Sequence, residues 1–220
     1  MIKQAEENSV IDFGLHLGLI TNQHVEEIGD YIEKLGVSSY KIYTNYMGRV
    51  NQIFDTDDGL NLDDGDLDYL FNLTSEKYPN AVLCVHCDNM EITKKISKRI
   101  GENDDSLSYH ELLSPGYAEA ESVMITLYLA NQYNAKAYIV HVSAKETTQM
   151  LEKAPFLMKN AVIETCPQYL AQSTESDAGI LAKVNPPVRP DNNKEDLWES
   201  IRKGSITTFG SDNCSCLLDV

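Results

Sequence analysis

The sequence predicts an α/β protein in which parallel strands alternate with helices. Two observations predict it: short apolar runs recur along the chain, and between them lie segments whose apolar residues are three or four positions apart. Strands and helices that alternate in this way form a parallel sheet covered by helices. We predict about six such strands. They could form an open doubly wound sheet or six of the eight strands of a (β/α)8 barrel, and periodicity alone does not separate the two.

The first half of the chain is predicted to hold three strands and three helices. The strands cover 9–15, 38–46 and 81–86, and the helices cover 22–35, 66–77 and 91–100. In the first helix, apolar residues recur from Val25 to Leu35, and Gly36 follows as a typical residue after a helix end. The third strand is apolar throughout, as expected when both faces of a strand are buried.

The second half repeats this alternation. The strands cover 136–142, 160–164 and 205–210, and the helices cover 118–134, 144–153 and 194–203. The connection 165–193 is long and contains NPPVRP, and a long ordered connection usually carries function. We predict a single domain over residues 1–220, because a chain of this length can bury one sizeable core.

The net charge of −16 disfavours nucleic acid and anionic membrane surfaces as partners. Much of the acidic excess lies at 55–68, where the spacing does not match an EF-hand and predicts a solvated loop. The sequence has no apolar run near the ~20 residues of a membrane span, and its first residues lack a signal-peptide pattern. The five cysteines are an odd number and are expected to be free thiols. We therefore expect a cytoplasmic protein.

Four polar residues stand where predicted strands end, and they are potential metal ligands: Lys41, His86, His141 and Asp212. In a barrel of parallel strands these ends meet at one edge, where catalytic groups gather. Two histidines, a carboxylate and a lysine that could carry a carbamate suit a hydrolytic two-metal site. Each residue also has a structural interpretation: a satisfied core histidine, a turn aspartate or a paired strand lysine.

Eight segments, in order along the chain, resemble those of the hydantoinase and dihydropyrimidinase branch of the cyclic amidohydrolases. They are DFGLHLGL (12–19), SSYKIYTNYMG (38–48), VLCVHCDN (82–89), SPGYAEAE (114–121), YIVHVSAKE (138–146), ETCPQYL (164–170), KVNPPVRP (183–190) and FGSDNC (209–214). ETCPQYL followed by NPPVR is the most specific combination. The resemblance implies a (β/α)8 TIM barrel, of which this chain would supply about six β/α units. The first strands and the small β-sandwich domain of the family are expected to be missing.

The resemblance also implies the metal chemistry. Lys41 resembles the N6-carboxylated lysine that bridges two divalent metal ions, usually zinc. His86 and His141 resemble the two histidine ligands of the second metal, and Asp212 resembles the aspartate that binds metal and acts as general base. The implied activity is hydrolysis of a cyclic amide or ureide, such as a dihydropyrimidine or hydantoin ring, to an N-carbamoyl amino acid.

Two further residues are implied to contact this small substrate. Tyr46 resembles the tyrosine that hydrogen-bonds the substrate carbonyl and its developing oxyanion, and Asn185 resembles the position whose backbone contacts the cyclic amide. The resemblance also implies a homo-oligomer, in this family a tetramer.

The sequence departs from the family pattern in three ways. The sequence contains no His-x-His pair, Asn213 stands where a histidine is usual, and Ser114 stands where an arginine is common. The missing His-x-His pair and Asn213 favour a second interpretation, a non-catalytic relative that acts as a scaffold or interaction protein, or an inactive fragment. A third, an unrelated open α/β binding module, lacks support because no glycine-rich phosphate loop occurs.

Overall fold

Six parallel strands form one sheet in the computed structural model, which describes residues 2–44, 51, 55–57, 59, 62–101 and 105–213. The strands are β1 (Leu17–Gly18), β2 (Ser39–Tyr43), β3 (Val82–His86), β4 (Lys136–Ile139), β5 (Ala161–Thr165) and β6 (Thr208–Phe209). They lie side by side in chain order, and every neighbouring pair is parallel. A doubly wound sheet would reverse its strand order at a switch point. The sequential order instead matches consecutive β/α units of a (β/α)8 barrel, which confirms the predicted fold class.

Helices connect the strands along the described part of the chain. They are α1 (Ile2–Asn8), α2 (Asn22–Glu26), α3 (Ile28–Leu35), α4 (Asp64–Lys77), α5 (Met90–Ile100), α6 (Leu107–Leu113), α7 (Gly116–Gln132), α8 (Lys145–Lys153), α9 (Pro167–Ala171) and α10 (Asn193–Lys203). Two 3₁₀ turns, Pro155–Met158 and Gly179–Ala182, complete the connections. Part of the acidic segment starts α4, because Asp63 and Asp66 form a capping box there.

The structure corrects three of the predicted elements. No strand forms over 9–15; β1 begins at Leu17, and Val10 is 97% exposed, so the apolar composition there does not reflect burial. The helix predicted over 22–35 is two helices, because the backbone at Glu27 leaves the helical region with a ψ of 1°. Helices α1, α6 and α9 were not predicted, and each has only 5–7 residues, too few for a clear period.

One face of the sheet is covered by the helices and forms the hydrophobic core; we call it the covered face. Its side chains are at most 1% exposed and are Tyr40, Ile42, Leu83, Val85, Ile139 and Ile163. They belong to one cluster with apolar residues of α4, α7, α8 and α10, namely Leu67, Leu70, Phe71, Val123, Leu127, Leu151 and Leu197. The covered face therefore explains why helices and strands alternate.

The opposite face, which we call the inner face, has a different composition. In the parallel register Lys41 pairs with Cys84, and Cys84 pairs with Tyr138. Since paired residues share a face and alternate residues return to it, this face also carries the side chains of His86 and Glu164. The inner face is thus lined by groups that can ionise or donate hydrogen bonds, although it belongs to the same strands as the core.

Candidate active site at the strand ends

The imidazoles of His86 and His141 meet at the carboxyl ends of β3 and β4. His86 Nδ1 lies 2.7 Å from His141 Nε2, and the ring centroids are 4.5 Å apart. Both residues are buried. In this pair one ring nitrogen donates and the other accepts, so neither of these two nitrogens can bind a cation while the bond is present. The structure therefore brings together the two histidines that the strand ends suggested.

Burial keeps both rings neutral. It lowers the pKa of His86 to about 3, and the positive charge of Lys41 acts in the same direction. Burial also lowers the pKa of His141 well below its ordinary value, with further contributions from His86 and Lys41. Neutral imidazole is the form that binds metal ions. At neutral pH both rings are consequently in the state that a metal centre requires.

Lys41 lies on the inner face of β2 and is partly buried. Loss of hydration lowers its pKa to about 8, while the nearby thiol of Cys87 and the carboxylates of Asp212 and Glu164 act in the opposite direction. Its Nζ lies 5.1 Å from the ring centroid of Tyr43, within the range of a cation–π contact. A lysine with a lowered pKa has a larger neutral fraction near pH 7, and only the neutral amine can react with CO2 to form a carbamate.

Glu164 is a residue of this site that the sequence analysis did not select. Its Oε1 accepts a hydrogen bond from the His141 backbone N–H at 3.1 Å, and its Oε2 accepts one from the Tyr138 hydroxyl at 2.7 Å. A signal was present: in AVIET (161–165), Val162 and Glu164 alternate with Ile163. That alternation places the carboxylate on the face opposite Ile163, which is the inner face.

Asp212 lies in the loop after β6, close enough to influence the pKa of Lys41. It is exposed, and its φ of 48° lies in the left-handed region that aspartate tolerates better than most residues. Two hydrogen bonds hold this loop: Gly210 N donates to Thr165 O of β5 at 3.1 Å, and the side chain of Gln168 in α9 donates to Ser211 O at 3.4 Å. The carboxylate is thus presented from a tethered turn.

The structure describes only one of the two residues that are implied to contact the substrate. Tyr46 lies outside the described residues. Asn185 is exposed, its peptide bond to Pro186 is cis, and the carbonyls on either side of it are anchored. His110 Nε2 donates to Val184 O at 2.9 Å, and the Tyr169 hydroxyl donates to Pro186 O at 3.0 Å. The backbone at Asn185 is therefore held at two points.

A buried polar cluster supports the loop that follows His141; we call it the Arg189 cluster, and it contains Arg189, Glu119, Ser143, Ser114 and Thr147. Arg189 donates to Ser143 Oγ at 3.0 Å, to Glu119 Oε2 at 3.3 Å and to the Ser114 carbonyl. Glu119 in turn accepts from the Ser143 and Thr147 hydroxyls at 2.5 and 2.7 Å. The position that departs from the family arginine, Ser114, therefore faces an arginine from another segment.

The neutral imidazoles of His86 and His141 are donors of the kind that bind a divalent cation such as zinc. Within the described ranges, however, no group of three or more His, Cys, Asp and Glu side chains is arranged to hold a metal ion. The sequence also has no His-x-His pair that could complete a second centre.

No protein-family model matches the chain, but individual proteins do. It is 30% identical over 224 residues to a D-hydantoinase of Geobacillus stearothermophilus, covering 96% of this chain and 44% of that protein. It is 24% identical over 207 residues to an allantoinase of Salmonella gallinarum, covering 91% and 44%. The structure of D-hydantoinase from a Bacillus sp. AR9 superposes with a TM-score of 0.80 at 28% identity, covering 98% of this chain and 47% of the other.

The chain thus spans about half the length of the relatives that it matches. In the part of the chain that the structure describes, no helix is long and apolar enough to cross a membrane.

Proposed function

Because the chain belongs to the hydantoinase and dihydropyrimidinase family of cyclic amidohydrolases, we propose that it supplies catalytic residues for hydrolysis of a cyclic amide or ureide. One observation carries the proposal: the neutral, buried imidazoles of His86 and His141 converge at the strand ends beside Lys41. This edge of a parallel barrel is where catalytic groups gather. The reaction adds water across a ring C–N bond and leaves an open-chain product, such as an N-carbamoyl amino acid.

The metal ligands in this proposal are His86, His141, Asp212 and an N6-carboxylated Lys41. The low pKa values of the two imidazoles keep their nitrogens available at neutral pH. Bound divalent metal, with zinc as the expected ion, would polarise the ring carbonyl and lower the pKa of the attacking water. The carbamate on Lys41 replaces the ammonium group by a carboxylate, whose buried charge the bound cation would compensate.

Proton transfer is assigned to Asp212, which is exposed and tethered to β5 through its loop. As general base it takes a proton from the attacking water and passes it to the leaving ring nitrogen when the C–N bond breaks. Tyr46 is assigned a hydrogen bond to the oxyanion that develops on the carbonyl, and the backbone at Asn185 a contact with the ring amide. A homo-oligomer is proposed as the working form, by analogy with the family.

The decisive experiment measures metal content and turnover together. We expect protein purified without chelators to contain at least one zinc ion per chain and to hydrolyse hydantoin or dihydrouracil. Lys41→Ala should abolish turnover, whereas the matched control Lys34→Ala, which removes an exposed lysine of α3, should leave it unchanged. Retained turnover in Lys41→Ala would show that the metal site is wrongly assigned.

A second candidate function is a non-catalytic scaffold of the same family. It is favoured by Asn213, where the family usually has a histidine, and by the lack of any His-x-His pair. A folded protein that contains no metal and turns over no cyclic amide would support the scaffold and reject the enzyme. Bound zinc together with turnover would reject the scaffold.

A further inference from the structure

We infer that Glu164 is a positioning residue, whose carboxylate holds a one-residue β-bulge that turns the His141 imidazole toward His86. The inference deepens the proposed function, on which its importance for catalysis rests. The bulge itself is a property of the metal-free chain and can be tested without turnover.

Strand alternation alone would direct His141 away from His86. Tyr138 pairs with Cys84 in the register, and Cys84 shares the inner face with His86, two residues later. Continued from Tyr138, the alternation places Val140 on the inner face and His141 on the covered face. The two imidazoles are nevertheless 2.7 Å apart. The backbone of β4 must therefore leave regular strand geometry after Tyr138.

Backbone hydrogen bonds show where it does so. Ala137 N donates to Asn160 O, 23 positions later, at 3.2 Å, but Val142 N donates to Glu164 O, only 22 positions later, at 2.7 Å. The segment after β4 therefore contains one residue more than the facing part of β5, which defines a bulge. His141 has a φ of 43°, in the left-handed region that bulges often use. It is the residue at which the chain turns its side chain to the other face.

Glu164 contacts this bulge with both its backbone and its side chain. In a regular ladder its carbonyl would accept from His141, but here that carbonyl accepts from Val142. The displaced His141 N–H instead donates to Glu164 Oε1 at 3.1 Å. The carboxylate thus supplies the acceptor that the bulge takes away, in a region where an unpaired N–H is costly. The Tyr138 hydroxyl, 2.7 Å from Oε2, fixes the carboxylate from its other side.

The glycine that follows β6, Gly210, leaves room for this carboxylate. A Cβ atom added at Gly210 would lie 2.4 Å from Glu164 Oε2, which is closer than two non-bonded heavy atoms can approach. The Gly210 backbone is itself bound to Thr165 O, so it is held against β5. A side chain at position 210 would therefore push the carboxylate off Tyr138 and His141.

The test is NMR spectroscopy of the metal-free protein with ¹⁵N-labelled backbone and histidine rings. In Glu164→Ala we expect the His141 amide to exchange with solvent at least about tenfold faster, because its charged acceptor is lost. The ring ¹⁵N signals of both His86 and His141 should shift as their hydrogen bond breaks. Where the protein binds zinc, its affinity should fall by about 10- to 100-fold, as for other residues that orient metal ligands.

Three variants distinguish positioning from general support of the fold. Glu164→Gln keeps an oxygen for His141 and an amide group for Tyr138, so we expect it to rescue protection to within about threefold. Tyr138→Phe removes only the hydrogen bond between the Tyr138 hydroxyl and the Glu164 carboxylate. The exchange rate of the His141 amide should therefore also stay within about threefold of wild type. Glu164→Asp keeps the charge but is one methylene too short, and should behave like Glu164→Ala.

Unchanged exchange and unchanged ring signals in Glu164→Ala would overturn the inference. Should that variant fail to fold, unchanged protection in Glu164→Asp would overturn it equally. If the wild-type chain binds no zinc, but Glu164→Ala and Glu164→Asp lose the protection of the His141 amide, the proposed function would be rejected and the bulge supported. If the chain binds zinc, but the Glu164 variants leave the His141 amide protection unchanged, the proposed function would be supported and the bulge rejected.

Discussion

The covered face and the inner face belong to the same six strands but follow opposite rules. Leu83 and Ile42 on the covered face have no exposed surface and belong to the apolar core. Lys41, on the inner face beside Ile42, is partly buried and has a pKa lowered to about 8 by lost hydration. One face gains free energy from burial, whereas the other holds ionisable groups whose charged forms are disfavoured by burial. The difference indicates that stability and chemistry are assigned to alternate residues of each strand.

Burial is not confined to apolar side chains in this protein: Arg189 is charged and yet only 4% exposed. We expect Arg189→Ala to lower the free energy of unfolding by about 3–5 kcal/mol, because it leaves the buried Glu119 carboxylate without its positively charged partner. Urea denaturation measures the loss. The control is Arg202→Ala, whose partners Glu195 and Glu199 are exposed, and which should cost less than about 1 kcal/mol. Equal losses in the two variants would place the Arg189 cluster among surface ion pairs.

A pair of truncations tests the two faces directly. Leu83→Ala removes a fully buried side chain from the covered face and should lower the free energy of unfolding by about 2–5 kcal/mol. Val162→Ala on the inner face, where the side chain is 37% exposed, should cost less than about 1 kcal/mol. Both are measured by urea denaturation. Similar losses would mean that the inner face also forms part of the core.

The histidine pair should make the metal-free protein sensitive to acid. His86 stays neutral in the folded chain down to about pH 3, whereas the unfolded chain binds a proton below about pH 6.5. The unfolded state therefore binds more protons in this window, and the free energy of unfolding falls as the pH is lowered through it. Between pH 7 and pH 5, His86 alone should account for about 2 kcal/mol.

Urea denaturation at both pH values, in the presence of a chelator, checks this dependence on pH. His86→Asn carries no titratable ring, so its loss between pH 7 and pH 5 should be smaller than that of wild type. An identical loss in the two proteins would contradict the assigned pKa of His86.

The smallest effect is expected to have the opposite sign. Lys41→Met replaces a desolvated ammonium by an apolar side chain of similar length, and should raise the free energy of unfolding at pH 7 by about 1–2 kcal/mol. The gain should shrink from pH 8 toward pH 10.5, where the folded wild type already carries a neutral lysine and the unfolded chain does not. Destabilisation by Lys41→Met would show that the lysine contributes to the fold.

Much of this arrangement could be predicted from the sequence. The alternation of apolar runs with helical periods predicted a parallel sheet covered by helices, and the apolar runs marked His86 and Lys41 as candidate site residues. Both belong to strands whose period of two is regular, so position along the strand determines the face. The sequence pattern and the structure agree wherever local rules suffice.

The rest depends on contacts between segments that are distant in sequence. The turn at His141 needs a carboxylate 23 positions later, and the period of two predicts the wrong face for this residue. Strand β1 was misplaced because composition cannot show which residues reach a neighbouring strand, and Leu17 and Gly18 are the ones that do. The alternation in AVIET places Glu164 on the inner face, but its hydrogen bond to the His141 backbone is not encoded by any residue pattern.

The close approach of Gly210 to the Glu164 carboxylate has a consequence for how variants of this protein would be scored. A methyl group at residue 210 can be accommodated by swinging a flexible side chain aside, so the chain would still fold, and its stability would fall only by the cost of leaving the His141 N–H unpaired. The same movement releases the His141 amide and lets the imidazole turn away. A screen for folding would classify Gly210→Ala as silent, while an assay for zinc uptake would classify it as defective.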